Sequence, residues 1–210
     1  MPARARPRRR IRWIVLAIVI ILLVPIALIV VPILTHEDQG SAGRPSFTGD
    51  SFPVSASATG DDGRTRTIDV DGTLDALSPG DRIVVTGTGY DASRGIYVAI
   101  CRIPDDAATK PGPCIGGVPD QGSQEVEEGA VQYAPSNWIN DDWAWKLFGA
   151  RSYDDVEAGT FTAYIEVGEP TAEGLDCTVE RCGLYTRNDH TALNDRVQDL
   201  YIPVEFAAEG

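Results

Sequence analysis

The sequence predicts an all-β exterior domain, an antiparallel sandwich, held behind one N-terminal transmembrane helix. Three observations carry that prediction. The run Trp13–Leu34 holds 22 residues with no charged or polar side chain. Beyond Thr67 the chain breaks into short alternating segments separated by turn residues, which is strand patterning. The four cysteines all lie beyond the apolar run. There is neither βαβ alternation nor an internal repeat, so a parallel sheet and a solenoid are not expected.

Charge divides the chain at the same place. Of the 18 basic and 31 acidic residues, residues 1–12 hold six arginines and no acid (+6), and residues 36–210 hold every acid against 12 bases (−19). At a helical rise of roughly 1.5 Å per residue the apolar run spans about 33 Å, the thickness of a bilayer core. A cleaved secretory signal is the competing reading, but its apolar core is usually about 7–15 residues. The small-residue stretch Ser41-Ala42-Gly43 lies several polar residues past the run, so an uncleaved anchor over 13–34 is expected. The Arg-rich tail 1–12 then stays cytoplasmic and residues from 36 onward lie outside. Pro25 and Pro32 are expected to kink the helix, which membranes tolerate.

Residues 35–66 are expected to form a flexible linker, since 36–66 hold five Gly, five Ser and two Pro with few large apolar residues. The folded domain is expected over 67–206, with 207–210 a tail. Its strands begin with Arg82–Thr88 after a Ser-Pro-Gly-Asp turn. Gly95–Ile103 follows, with Ile96, Val98 and Ile100 on one face and Tyr97, Ala99 and Cys101 on the other. Thr160–Val167 puts Phe161, Ala163, Ile165 and Val167 on one face. Cys182–Thr186 is a further strand. Leu200–Phe206 does the same with Leu200, Ile202, Val204 and Phe206, and Pro203 makes it an edge strand. Segment 104–158 fits the pattern least. Within it Asn137–Tyr153 carries three of the four tryptophans and is expected as a short helix or structured loop lying across one sheet.

Cys101 and Cys114 are thirteen apart, Cys177 and Cys182 five apart. Local pairing of each couple gives two short covalent loops suited to an oxidising exterior, although three connectivities are possible. With no C-x-x-C pair and only His36 and His190 outside, disulfides are preferred over a metal site.

Two stretches resemble a known family. Gly80–Cys101 (GDRIVVTGTGYDASRGIYVAIC) is a strand with V-x-G-x-G-Y turning into a strand that ends in cysteine. Leu175–Phe206 begins with D-C-T-x-x-x-C and passes through an acidic loop to a last apolar strand. Both resemble the neocarzinostatin-like actinobacterial apoproteins. The resemblance implies a seven-stranded immunoglobulin-like sandwich, disulfides Cys101–Cys114 and Cys177–Cys182, and a cleft for a small apolar ligand. An anchor, a longer first disulfide loop and an aromatic insertion depart from the family. An anchored chain cannot carry cargo away, so what is implied is the fold and a ligand cleft at an actinobacterial cell envelope.

The chemistry of the residues points the same way. There is no H-E-x-x-H, no G-x-S-x-G, no Walker loop and no G-x-G-x-x-G opening a helix, so no catalytic residue and no cofactor are expected. The acid pairs Asp105-Asp106, Asp141-Asp142 and Asp154-Asp155 read as solvated loop residues. The acidic surface disfavours nucleic acid. Ligand-binding candidates are Tyr97, Trp138, Trp143 and Trp145, lining a cleft or sealing a sheet edge, together with Tyr185 and His190. The loop Tyr185–Asp199 concentrates Asn188, Asp189, His190, Asn194, Asp195 and Asp199. It either holds itself through Asx turns and pairing of Arg187 and Arg196 with its acids, or offers oxygens to Ca²⁺. The expected function is a non-catalytic, membrane-anchored extracellular module binding a small apolar ligand. The alternatives are a protein-interaction subunit of an envelope complex and a haem or metal-uptake accessory domain.

Overall fold

The computed structural model describes residues 7–49, 52–117 and 131–208. It divides into two compact units, 1–37 and 38–210. The first is a single helix, α1 (Pro7–Leu34, 28 residues), whose stretch Ile11–Val31 has a mean hydropathy of 3.6 and no buried side chain. In hydrocarbon every backbone N–H and C=O must be satisfied within the segment, and a helix does this regardless of the β-branched content of the run. The helix continues through Pro25 and Pro32. Thr35 closes it, donating from both its main-chain N and its hydroxyl to the Val31 carbonyl at 2.9 and 2.8 Å.

The second unit is an antiparallel sandwich. One sheet contains β1 (Ser46–Thr48), β2 (Ser55–Thr59), β3 (Thr65–Asp71), β4 (Arg82–Thr88) and β7 (Phe161–Glu166), hydrogen-bonded in that order. The other has the order β11 (Leu200–Val204), β10 (Cys182–Asn188), β5 (Ile96–Arg102), β6 (Ser136–Ile139). A two-stranded hairpin, β8 (Thr171–Ala172) with β9 (Leu175–Asp176), stands apart. Period-two alternation sends Ile68, Val70, Ile83, Val85, Phe161, Ala163 and Ile165 inward from the first sheet. Ile96, Val98, Ile100, Leu184, Leu200 and Ile202 come inward from the second, and both sets share one core. Gly87 in β4 leaves room for the Phe161 ring, whose edge lies 2.1 Å from where a Cβ would stand. Pro203 lies on β11, an edge strand whose one neighbour in the sheet is β10, so the missing donor costs no ladder bond on a second side.

The expected flexible linker over 35–66 is corrected from residue 38 onward. β1, β2 and the start of β3 lie within it, and Ala42, Ala56 and Ala58 are buried. Ser41 and Asp61 tie the segment back through Asp61 N to Ser41 O at 2.9 Å and Ser41 N to Asp61 Oδ2 at 2.7 Å. The inward residues of β2 are alanines, which fill a sandwich edge without the bulk that marks a strand in sequence. These two added strands raise the count from the implied seven to five in one sheet and four in the other. Segment 137–153 contains the expected short helix, α2 (Trp143–Lys146), and before it all but the first residue of β6.

Both local disulfides are formed, Cys101–Cys114 and Cys177–Cys182. The second closes a loop with a sequence separation of only 5. Replacing Cys177 and Cys182 by serine is expected to lower the unfolding free energy by about 2 kcal/mol on the loop-entropy relation. Thermal melting of the purified double variant checks this, and an unchanged Tm would remove the disulfide from the list of stabilising features.

Candidate functional site

The outer face of the second sheet carries the aromatic candidates. Alternation points Tyr97, Ala99 and Cys101 of β5 away from the core, as their patterning predicts. Strand register sets Trp138 of β6 beside Tyr97 on one side and Arg187 of β10 beside it on the other. The Arg187 guanidinium lies over the Tyr97 ring, 5.6 Å from its centroid, and donates to the Pro111 carbonyl at 2.9 Å. Its hydrogen bond thus goes to a main-chain oxygen, while Asp199 of its own loop acts on it through charge alone.

Past β10 the chain turns through Asp189 into a 3₁₀ turn, His190–Ala192. Asp189 caps this turn, accepting from Thr191 N at 2.8 Å and Thr191 Oγ1 at 2.5 Å. Its other oxygen accepts from Trp138 Nε1 at 2.8 Å and Asn140 Nδ2 at 2.9 Å. Gly95 permits this: a Cβ there would fall 1.9 Å from Asp189 Oδ2. Asp142 caps α2 by accepting from Ala144 N at 2.9 Å, turning Trp145 back over the sheet. Trp145 then meets Trp138 at 5.7 Å and His190 edge-on at 4.6 Å. His190 Nδ1 is 2.9 Å from the Tyr97 hydroxyl. Burial, with Asp189 second, pushes the Tyr97 hydroxyl up to about 12.

Of the six sequence-predicted ligand residues, four converge: Tyr97, Trp138, Trp145 and His190. They pack on one another and line neither of the two hollows described below. Trp143 points away and is 68% exposed. Tyr185 lies elsewhere on the same sheet face, buried, with its ring stacked on Tyr201 of β11 at 4.8 Å.

That stacked pair floors a pocket of about 480 Å³. Residues 41–45 wall it on one side, and Ile103, Pro104 and Pro111 of the first disulfide loop wall it on another. Arg196 and Asp199 supply a buried ion pair at 2.9 Å. Burial raises the Asp199 carboxyl to about 7 against the pull of Arg196 and Arg187. Burial, then the charges of Arg187 and Arg196, holds the Lys110 ammonium below its ordinary value. Cations thus gather around this pocket in an otherwise acidic domain. A second, wider hollow of about 910 Å³ lies between the β11 edge and the Cys177–Cys182 loop, lined by Phe52, Leu77, Val179 and Phe206 among others. Its volume is larger, but it lacks the stacked aromatic floor.

Sequence reasoning named Tyr185 as a ligand candidate without assigning it a face, and missed Tyr201 and the walls of the pocket. The signal for Tyr201 was present, since it alternates with Leu200 and Ile202. The loop 188–199 holds itself: Asn188 Nδ2 donates to Asp195 O at 3.0 Å, Gln198 Nε2 to Asn188 Oδ1 at 2.8 Å, and Val197 N to Asp195 Oδ1 at 3.0 Å. Among the described residues no three His, Cys, Asp or Glu side chains converge as metal ligands would.

No family model matches the chain. The chain is similar to a Corynebacterium glutamicum protein named thiamine biosynthesis protein X, at 29% identity over 137 residues. The match takes in 63% of this chain and 60% of that protein, so the chain spans less than two thirds of the relative's length. Among solved structures it is similar to macromomycin, with 17% identity over 67% of this chain and 99% of the other, at a TM-score of 0.36. That score is too low to assign the fold by likeness. The sandwich rests on its own strand pairing and shared core, behind one apolar helix of membrane-spanning length.

Proposed function

We propose that this chain is a non-catalytic binding module held at the outer side of a cell envelope by α1, taking a small apolar ligand against Tyr185 and Tyr201. The observation that carries this reading is the pocket of about 480 Å³ with a stacked tyrosine floor and proline and isoleucine walls. Its volume falls in the roughly 300–1,000 Å³ range of small-molecule sites. The Trp138–Trp145 cluster packs on itself and lines neither hollow, which fits its expected role as a seal of the sheet edge. The Arg-rich tail supports a cytoplasmic N-terminus under the positive-inside bias, and two disulfides suit an oxidising exterior.

The test is calorimetry on the full chain in nanodiscs, with small molecules extracted from the membrane-purified protein as titrants. The name of the Corynebacterium relative adds thiamine and its separate pyrimidine and thiazole rings as probes. Tyr201→Ala is expected to weaken the binding of whatever the wild type takes up by roughly tenfold, the loss of an aromatic stacking surface. No heat from any titrant, or equal binding by the variant, overturns the pocket reading. A mature N-terminus beginning between residues 36 and 44 overturns the anchor.

A second reading, a protein-interaction subunit, is favoured by one observation. Trp143, Leu147 and Phe148 stand exposed together on and just after α2. Exposed aromatics of this kind are enriched at interaction hot spots. Trp143→Ala with Phe148→Ala would then abolish recovery of an envelope partner while leaving small-molecule binding intact. The haem or metal-uptake alternative is not taken up, since His190 Nδ1 lies within hydrogen-bond reach of the Tyr97 hydroxyl and the Tyr185 ring is stacked on Tyr201.

A further inference from the structure

The pocket contains one polar feature that its apolar lining does not explain. Asp199 directly precedes β11 and shares the outward face with Tyr201, two residues on. Its side chain is 8% exposed and lines the pocket. Oδ2 accepts from Arg196 Nη1 at 2.9 Å, while Oδ1 is buried with no hydrogen-bond partner. The main-chain N–H of Asn188 lies near the carboxyl without closing a bond to Oδ1. A buried carboxylate oxygen left unpaired costs free energy that a ligand donor would recover.

The charges around it narrow the donor. Arg196 comes from its own segment, Arg187 from β10, and Lys110 from the first disulfide loop; all three act on Asp199 or feel it. Tyr185 of β10 also faces it, and Arg44, Asp105 and Arg181 stand around the pocket. With three cations already near one carboxylate, a further ammonium is repelled. A neutral O–H or N–H is not.

Building on the pocket reading above, we propose that Asp199 is the polar anchor of the pocket, and that the occupant is a small, planar, uncharged molecule. It donates an O–H or N–H to Asp199 Oδ1 while its ring lies against Tyr201 and Tyr185. The carboxyl, raised to about 7 by burial, is half ionised near neutrality. Ionisation makes Oδ1 the better acceptor, so donor binding strengthens as pH rises from 6 to 8.

The probes are 4-fluorophenol, which has a donor, and 4-fluoroanisole, which has the same ring and none. Binding to the full chain in nanodiscs is read by ¹⁹F NMR, with empty nanodiscs subtracted. The phenol is expected to bind roughly tenfold tighter than the anisole at pH 8, the scale of a hydrogen bond to a charged acceptor. That preference narrows at pH 6. In Asp199→Asn the two probes are expected to bind equally. Because the variant also disturbs the partner of Arg196, a second measurement uses the wild type. The ¹³C resonance of the Asp199 carboxyl should titrate at lower pH with 4-fluorophenol present than without it. Equal affinity of the two probes, or an Asp199 titration that the phenol does not move, overturns the anchor role and leaves the pocket standing. Failure of both probes to bind overturns the pocket reading itself, and the anchor role with it.

Discussion

Replacing Asp189 by alanine is expected to lower the unfolding free energy by about 3 kcal/mol, the scale for stranding buried hydrogen-bond donors. The side chain is fully buried and accepts four hydrogen bonds, from Trp138 Nε1, Asn140 Nδ2, Thr191 N and Thr191 Oγ1. Truncation leaves the buried Trp138 Nε1 and Asn140 Nδ2 without this acceptor, and the part-buried Thr191 donors likewise. It also releases the cap of the His190–Ala192 turn and the indole that Trp145 packs against. Urea unfolding monitored by tryptophan fluorescence measures both consequences. The midpoint should fall at unchanged m-value, and the native emission should shift red as the Trp138–Trp145 pair loosens. A midpoint displaced by less than about 1 kcal/mol would mean that the four donors find other partners, contrary to this account.

Asp62→Ala is expected to cost a comparable amount, about 3–5 kcal/mol, through the charge it strands. Arg66 lies on the inward face of β3 in line with Ile68 and Val70, its side chain only 1% exposed. Asp62 holds it in a two-pronged contact, Oδ1 to Nη1 at 3.0 Å and Oδ2 to Nη2 at 2.5 Å. Burial works to raise the Asp62 carboxyl, but the hydrogen bonds and charge of Arg66, with Arg64, outweigh it and hold the group below the usual carboxylate value. A depressed folded-state pKa contributes stability that is fully present above the unfolded value, near 3.8. It is lost as pH falls through the lower folded value. The wild type should therefore lose stability below about pH 4 more steeply than Asp62→Ala. The double variant Asp62→Ala/Arg66→Met should regain most of the loss, because the cost lies in the unpaired buried cation. A single variant as stable as the wild type would show that the guanidinium reaches solvent or another acceptor.

These two networks were differently visible in the sequence. Asp189 was singled out as part of a polar loop, and its Asx capping of Thr191 is the local geometry that such loops favour. Its partners Trp138 and Asn140 are about fifty residues away, so no spacing rule could pair them. Arg66 was hidden altogether. An arginine among threonines looks solvated, and only the alternation of β3 turns it inward. The tryptophans show the same limit. Trp143 and Trp145 are two apart on one helical turn, so they cannot share a face. Which one meets Trp138 is set by the Asp142 cap and by the β6–β5 register.

With three disulfide connectivities left open, the sequence by itself determined the apolar helix and the strands that contain 82–88, 96–102, 161–166, 182–186 and 200–204. Those features depend on local period and length, which are properties of a stretch of chain. Only the tertiary structure decided that 46–59 belong to the sandwich, because alanine and serine strands carry too little hydrophobic contrast to announce themselves. Only it decided where the pocket lies. Its floor joins Tyr185 to Tyr201 across a strand pair, and its walls come from residues 41–45 and 103–111. A cavity is the space left between segments distant in sequence, and its shape depends on how they pack rather than on what any one of them contains.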